Sequence, residues 1–328
     1  MALTKVIANR ATNPTATDAL ITFKLSDDDD DSRRVYLNST KDNDGYVLLD
    51  ISGLGPQKGS IVKTNNPLEN RFTYNTTTLE ARNLVFSIAV DERYSTDVTT
   101  ISKLKNRLYK LFPIGENIYF EFTIVDELTG EKTKLYINGY VEAVESPMFV
   151  RQPLVTVSII CMKSLFVDSV MALYSGYIPN TKISKEIVLG GGGVTPFTYG
   201  TTFVVDYNGN VPAPLYVTTT ASILLSNTTG RIRVSDSAND ILDLYPTVQG
   251  ANAFNKIEIM SSDGSRAVNF NTVAQGALSG LSSIDPVAST GWPKLYPGSN
   301  TIVFGFNPST VAAGSMATIA YDTYYAGL

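Results

Sequence analysis

The feature that most constrains this chain is its punctuation: short runs of β-branched and aromatic residues alternate with clusters of glycine, proline, asparagine and serine, and one stretch alone repeats its apolar residues at helical spacing. Short runs bounded by turn-forming residues read as strands, because branched and aromatic side chains fit a pleated surface while the flanking residues adopt turn conformations. The chain is therefore expected to be mainly β. The first half shows such runs at Ala19 to Leu25, Val35 to Leu37, Tyr46 to Ile51, Asn83 to Val90, Ile118 to Val125, Lys134 to Val144 and Leu154 to Cys161. Gly53, Gly55, Pro56 and Gly59 mark a turn-rich loop between the third and fourth of these. Asp126 to Glu131 reads as the turn of a long hairpin.

The single helical stretch is expected to begin near Thr96 or Asp97, where a side-chain oxygen can accept the unpaired amide hydrogens of a first turn, and to stop before Pro113. Ile101, Leu104, Leu108 and Leu111 recur at spacings of three and four and so share one stripe. Lys103, Lys105, Arg107 and Lys110 fall away from that stripe, which predicts a helix lying on a sheet with a basic face outward, a candidate interface.

At 328 residues the chain is long enough for two domains. After Phe166 its character changes: Pro179, a polar Asn-Thr-Lys run and the tetraglycine Gly190 to Gly193 follow. The expected division is an N-terminal domain over 1–170 and a C-terminal domain over 171–328, with a linker at about 171–193. Beyond it, strand-like runs recur at Thr201 to Tyr207, Leu215 to Leu225, Ile232 to Val234, Ile257 to Met260, Thr301 to Phe306 and Ala317 to Tyr321. Many short strands without helical periodicity predict a β-sandwich or jelly roll. The first domain is expected to be a β-sandwich or split barrel carrying the one helix and the long hairpin.

Composition narrows the chemistry. The chain has no histidine, which removes the usual general base, the usual zinc ligand and the middle member of a hydrolytic triad. One cysteine, Cys161, excludes an intrachain disulfide and multi-cysteine zinc sites, and a small buried position on a strand is its expected role. A net charge of −5 argues against a protein that grips nucleic acid through its phosphates. Leu154 to Tyr177 is the most apolar stretch, but Lys163 and Asp168 interrupt it, so no membrane span is expected. Residues 1–13 carry no apolar segment of the signal-peptide kind, so synthesis in the cytoplasm is expected.

The remaining local features point to solvent or to structure rather than to catalysis. Glu142 and Glu145 are a tempting carboxylate pair, yet on a regular strand an odd spacing sends them to opposite faces. The acidic run Asp27 to Asp31 departs from a calcium loop, because Ser32 stands where a glycine belongs and Asn38 where the closing glutamate belongs. It reads as a solvated hairpin tip, since adjacent carboxylates repel unless they stay wet. Gly190 to Gly193 run into Val194-Thr195-Pro196 with no Gly-Lys-Ser/Thr and no following helix, so they read as a connector and not a phosphate cradle. The sequons at Asn38, Asn75 and Asn227 carry no weight in such an Asn- and Thr-rich chain. Trp292, with Tyr296 nearby, is a candidate sugar contact, against which stands packing of Trp292-Pro293 beneath a loop. No metal, cofactor or catalytic residue is called for.

The order of segments carries a resemblance. Ile51-Ser52-Gly53-Leu54-Gly55-Pro56, then Glu80-Ala81-Arg82-Asn83-Leu84-Val85, then the helix running into Leu108-Tyr109-Lys110-Leu111-Phe112-Pro113, are followed by Tyr136 to Glu142 and Val155 to Cys161. In the second half come Leu295-Tyr296-Pro297-Gly298-Ser299-Asn300-Thr301-Ile302 and the closing Tyr321 to Leu328. This succession resembles the distal tail proteins of long-tailed bacteriophages, which are baseplate or tail-tip components. The resemblance implies a C-terminal galectin-like sandwich and N-terminal domains that close into a hexameric ring. It also implies as partners the tail tube protein, the tail-tip hub protein and, in many relatives, receptor-binding proteins, with location in the virion tail.

A closed ring uses heterologous interfaces, for which the basic helix face and the acidic segments offer two complementary surfaces. DNA would pass through the ring's channel without specific binding, and Asp27, Asp28, Asp29, Asp30 and Asp31 are a candidate lining that repels phosphate. No long insertion of the kind that forms arms for receptor-binding proteins is visible in the second domain. The competing expectation is a carbohydrate-binding adhesion module of a virion or other particle, resting on Trp292 and Tyr296. A carboxylate-based enzyme stands third.

Overall fold

The computed structural model describes residues 4–10, 21–24, 34–37, 44–56, 58–66, 71–95, 100–125, 132–147, 153–169, 179, 181–189, 197, 199–220, 223–224, 231–245, 253–262, 266–272, 276–307, 310–311 and 314–327. It is mainly β, with strands in several antiparallel sheets and an α-helix in the first half. The chain divides into two compact units. The first comprises Met1–Leu173 together with Tyr325–Leu328, and the second is Tyr174–Tyr324.

The first unit contains β1 (Thr4–Arg10), β2 (Ile21–Lys24), β3 (Arg34–Leu37), β4 (Asp44–Ser52), β5 (Gly59–Asn66), β6 (Arg71–Leu79), β7 (Arg82–Ser95), α1 (Ile101–Leu111), β8 (Asn117–Val125), β9 (Lys132–Glu145), β10 (Leu154–Cys161) and β11 (Phe166–Val167). Its main sheet runs β3-β2-β1-β8-β9-β10-β7-β4. The expected long hairpin is β8 and β9, paired from Asn117↔Tyr140 to Val125↔Lys132. β1 joins the sheet in parallel with β8, Thr4 beside Ile118. Because a parallel partner needs a long connection rather than a tight turn, no local pattern announces this pairing.

Strict alternation builds the core. Leu84, Phe86, Ile88 and Val90 of β7 and Val155, Val157, Ile159 and Cys161 of β10 are all buried, and the register sets Phe86 beside Val157 and Ile88 beside Val155. Phe86 stacks on Phe120 at 5.2 Å, and Phe122 meets the edge of Phe166 at 5.6 Å. The helix adds Leu104, Leu108 and Leu111 to this core, with Ile101 partly buried against it. Each large side chain so buried contributes about 1.5–3 kcal/mol before conformational entropy is subtracted. Tyr46, itself buried, donates its hydroxyl to the Leu104 carbonyl at 2.8 Å and pins the helix to β4.

Two expectations need correction here. The helix does not start with a side-chain cap: Thr100 is the capping residue, its hydroxyl makes no cap hydrogen bond, and its carbonyl receives the amides of Lys103 and Leu104. Packing of the apolar stripe supplies the stability that a cap would have added. The segment after Gly53 to Gly59 is also more than a turn-rich loop, for β5 and β6 form a separate two-stranded hairpin.

The second unit contains β12 (Thr181–Glu186), β13 (Val188–Leu189), β14 (Tyr199–Tyr207), β15 (Ala213–Pro214), β16 (Tyr216–Thr220), β17 (Ile223–Leu224), β18 (Ile232–Ser235), β19 (Ile241–Leu244), β20 (Ala253–Met260), β21 (Ala267–Thr272), β22 (Gly276–Ser279), β23 (Lys294–Leu295), β24 (Gly298–Phe306), β25 (Thr310–Val311) and β26 (Met316–Tyr321). One sheet runs β12-β26-β16-β20-β17-β25, with β21 and β22 continuing from β20; the other runs β13-β14-β24-β18-β19. Val217, Ile257, Ile259 and Ile319 from the first sheet and Phe203, Val205, Ile302, Phe304 and Val234 from the second share one buried cluster. That shared core between two sheets is a β-sandwich. The run expected as one strand, Leu215 to Leu225, is two strands, both pairing with β20.

Candidate functional site

The four basic residues of the helix lie off its buried stripe, with Lys103 and Lys110 exposed and Lys105 and Arg107 half-buried. The helix carries no acidic residue in its first turn. Asp27, Asp28, Asp29, Asp30 and Asp31 belong to the connection between β2 and β3 and lie outside the described residues.

Glu142 and Glu145 do not diverge as a regular strand requires. Between Ser158↔Ala143 and Ile159↔Val141 the pairing of β9 with β10 slips, so Glu142 is an extra residue at a β-bulge. Val141 and Val144 both face the core, and the two glutamates are both exposed beside outward residues of β10. Glu145 pairs with Thr156, and the Ser158 hydroxyl donates to Glu142 Oε2 at 2.8 Å. They share a face of an open sheet and are not set on two sides of a cleft. Among the described residues no group of three or more Asp, Glu or Cys side chains is arranged to hold a metal ion.

Trp292 and Tyr296 belong to the second unit, and both are engaged there. Trp292 is partly buried against the sandwich core with the Arg266 guanidinium 5.7 Å from its ring centre. The Tyr296 hydroxyl donates to Asp240 Oδ2 at 3.1 Å, and burial together with that carboxylate pushes its pKa up to about 12. The Leu295 to Ile302 segment turns from β23 into β24. Buried Asn300 accepts the Tyr296 amide at 2.8 Å and returns its own NH2 to the carbonyls of Tyr296 (2.6 Å) and Gly298 (2.8 Å). Asp236 braces the same region by accepting the amides of Ala238, Asp240 and Lys294 at 2.8–3.0 Å. Burial raises its pKa above the ordinary carboxylate range.

A side chain that ties three distant segments of the first unit together was not singled out from the sequence. Arg82 is 5% exposed at the start of β7, on the inward parity of Leu84, Phe86 and Ile88. Its Nε donates to the Ser164 carbonyl at 2.8 Å, one terminal nitrogen to the carbonyls of Gly53 (2.5 Å) and Gly55 (2.6 Å), and the other to the carbonyl of Ala326. The guanidinium also lies 4.7 Å over the Phe166 ring. Two of the segments whose order carries the resemblance, 51–56 and 80–85, thus meet at one guanidinium. Gly53 has φ +89, and a Cβ there would stand 2.0 Å from the Asn83 carbonyl oxygen, so no other residue fits this crossing. An arginine at an inward position of an alternating strand was the available signal. Cys161 lies in the same core, and burial pushes its thiol up to about 12.

A second arginine assembly occupies the other unit. Arg231 and Arg233 both grip Asp243, a fully buried carboxylate, with contacts of 2.5–2.9 Å. Phe197 lies under both guanidinium groups, at 5.8 and 5.3 Å. The Ser289 hydroxyl accepts the Asp243 amide, and the Asp285 amide donates to the Asp243 carbonyl, so the main chain of the same residue fastens the 285–289 loop to β19. Among the described residues no helix is long and apolar enough to cross a membrane.

No family model matches the chain, and no curated protein matches it. Among solved structures, the Dit protein of phage SPP1, described as a paradigm of the hub adsorption apparatus in phages infecting Gram-positive bacteria, is 13% identical over 86% of this chain and 94% of its own, with a TM-score of 0.48. The phage P2 baseplate in its activated conformation gives 9% identity with calcium and 10% with strontium, covering 86% and 84% of this chain and 91% and 90% of those chains, each at a TM-score of 0.35. Over most of its length the chain is similar to structures from phage hubs and baseplates.

Proposed function

We propose that this chain is a structural subunit of a long-tailed phage tail tip: a distal tail protein whose first unit closes into a hexameric ring between tail tube and hub. The observation that carries this reading is the ordered set of segments that resembles that family, because those segments do the same kind of work in the fold. Segments 51–56 and 80–85 cross at Arg82, and in 295–302 Asn300 closes the turn from β23 into β24. These are framework contacts, and the role we infer is assembly, not catalysis. Partners under this reading are further copies of the chain, the tail tube protein, the hub protein and receptor-binding proteins, and the location is the virion after assembly in the host cytoplasm. DNA would cross the central channel without specific binding, with Asp27 to Asp31 repelling its phosphates.

Light scattering of the purified protein at several concentrations, with negative-stain imaging of the same sample, tests the proposal. A ring of six with a central hole is the expected result. A monomer at every concentration overturns it and turns attention to glycan binding, which Trp292→Ala would then be used to probe.

A further inference from the structure

The first unit is discontinuous in sequence. Its body ends at residue 173, the whole of the second unit intervenes, and residues 325–328 belong to the first unit again. This last piece is built into the first unit's interior chemistry. Tyr325 packs against the first core, the Ala326 carbonyl accepts from Arg82, and Gly327 runs so close to the 54–56 loop that a Cβ there would stand 2.9 Å from the Gly55 carbonyl carbon and the Pro56 nitrogen. Immediately before it, Tyr324 is held in the second unit, its amide donating to the Tyr207 hydroxyl at 2.8 Å and its carbonyl accepting the Asn210 amide at 3.1 Å. The chain therefore passes from the second unit to the first between two consecutively anchored residues.

We propose that residues 325–327 are a closing segment that completes the first unit only after the second has been made. Arg82 is the reason. A guanidinium has five N–H donors and no acceptor, and here its partners are neutral carbonyls drawn from three places, the 53–55 loop, Ser164 and Ala326. Until residue 326 arrives, one end of a buried cation lacks its acceptor and the 54–56 loop lacks the backbone that packs on it. A buried charged donor left unpaired is far costlier than a missing surface contact. Synthesis proceeds from the N-terminus, so a chain stopped before residue 325 presents a loosened first unit even with its second unit complete. The inference stands on the fold alone; its consequence, that unfinished chains are kept out of the assembly, rests on the proposed ring.

Hydrogen exchange on three forms of the protein tests it: the full chain, a variant ending at Tyr324, and the full chain with a short Gly-Ser insertion between Tyr324 and Tyr325. The expected result is a loss of roughly 10- to 100-fold in amide protection across 82–90 and 53–56 in the shortened variant, with protection of β14 and β24 unchanged. The insertion variant should keep nearly full protection, since its closing segment is present. Unchanged protection of 82–90 in the shortened variant would overturn the proposal, as would an equal loss in both units. Light scattering on the same samples separates the two readings: a full chain that never forms a ring counts against the proposed function and leaves the exchange result standing.

Discussion

The two units each hold arginine against buried groups, and they neutralise it in different ways. In the first unit Arg82 is surrounded by main-chain carbonyls and an aromatic ring, with no carboxylate among its hydrogen-bond partners in the described residues. In the second, Arg231 and Arg233 converge on Asp243, and their side chains remain 23% exposed while the carboxylate is fully buried. Carbonyls bring dipoles but no opposite charge, so the first arrangement works by geometry, holding several segments of chain to one planar fork. The second works by charge, and partial access to water weakens what it contributes. One is a joint between distant parts of the chain; the other staples together the two strands of one hairpin, β18 and β19.

Substitutions can break or sharpen that contrast. Arg82→Leu should have the largest effect, lowering the stability of the first unit by about 3 kcal/mol in a denaturant titration, because four carbonyls, that of buried Ser164 among them, lose their donor together. Lysine at this position should rescue little, since a point charge cannot serve three directions in one plane. Asp243→Asn should cost the second unit about 1.5–3 kcal/mol and leave exchange in the first unit unchanged, and part of the loss should vanish in high salt. Equal losses in the two units would dissolve the distinction between joint and staple.

The effect smallest at neutral pH is an alkaline pH dependence. The Cys161 thiol has an ordinary pKa of 9.0 and is pushed up to about 12 by burial, against a weaker opposing pull from the nearby Arg82 guanidinium. Its folded value is raised, so the contribution is fully present below pH 9 and is lost as pH climbs through about 12. Cys161→Ala should flatten this alkaline decline in the first unit, read from unfolding midpoints across that range, and should leave the second unit's profile alone.

Much of the architecture was legible because it rests on periodicity. The stripe Ile101, Leu104, Leu108 and Leu111 and the strand over Leu154 to Cys161 are both found as read, the strand burying Val155, Val157, Ile159 and Cys161 on one face. What was not legible involves partners without side-chain identity. The carbonyls of Gly53, Gly55, Ser164 and Ala326 leave no trace in residue type, and only the inward parity of Arg82 hinted at them. The pairing of β1 with β8 joins segments separated by more than a hundred positions, which no local pattern records. The glutamate pair was misjudged for a related reason, since a bulge is set by how two strands slide against each other and not by either strand's own composition.

That bulge changes the rules by which β9 tolerates substitution. Up to Val141 the odd-numbered residues Leu135, Ile137 and Val141 are the buried ones, whereas beyond Glu142 it is the even-numbered Val144 that turns inward. A variant library over this strand should therefore show its tolerant and intolerant positions exchanging parity at residue 142. Deleting Glu142 should therefore be tolerated, because Val141, Ala143 and Val144 then follow one another opposite Ile159, Ser158 and Val157 with inside and outside unchanged, as a spare link can be taken from a bracelet without turning the others over.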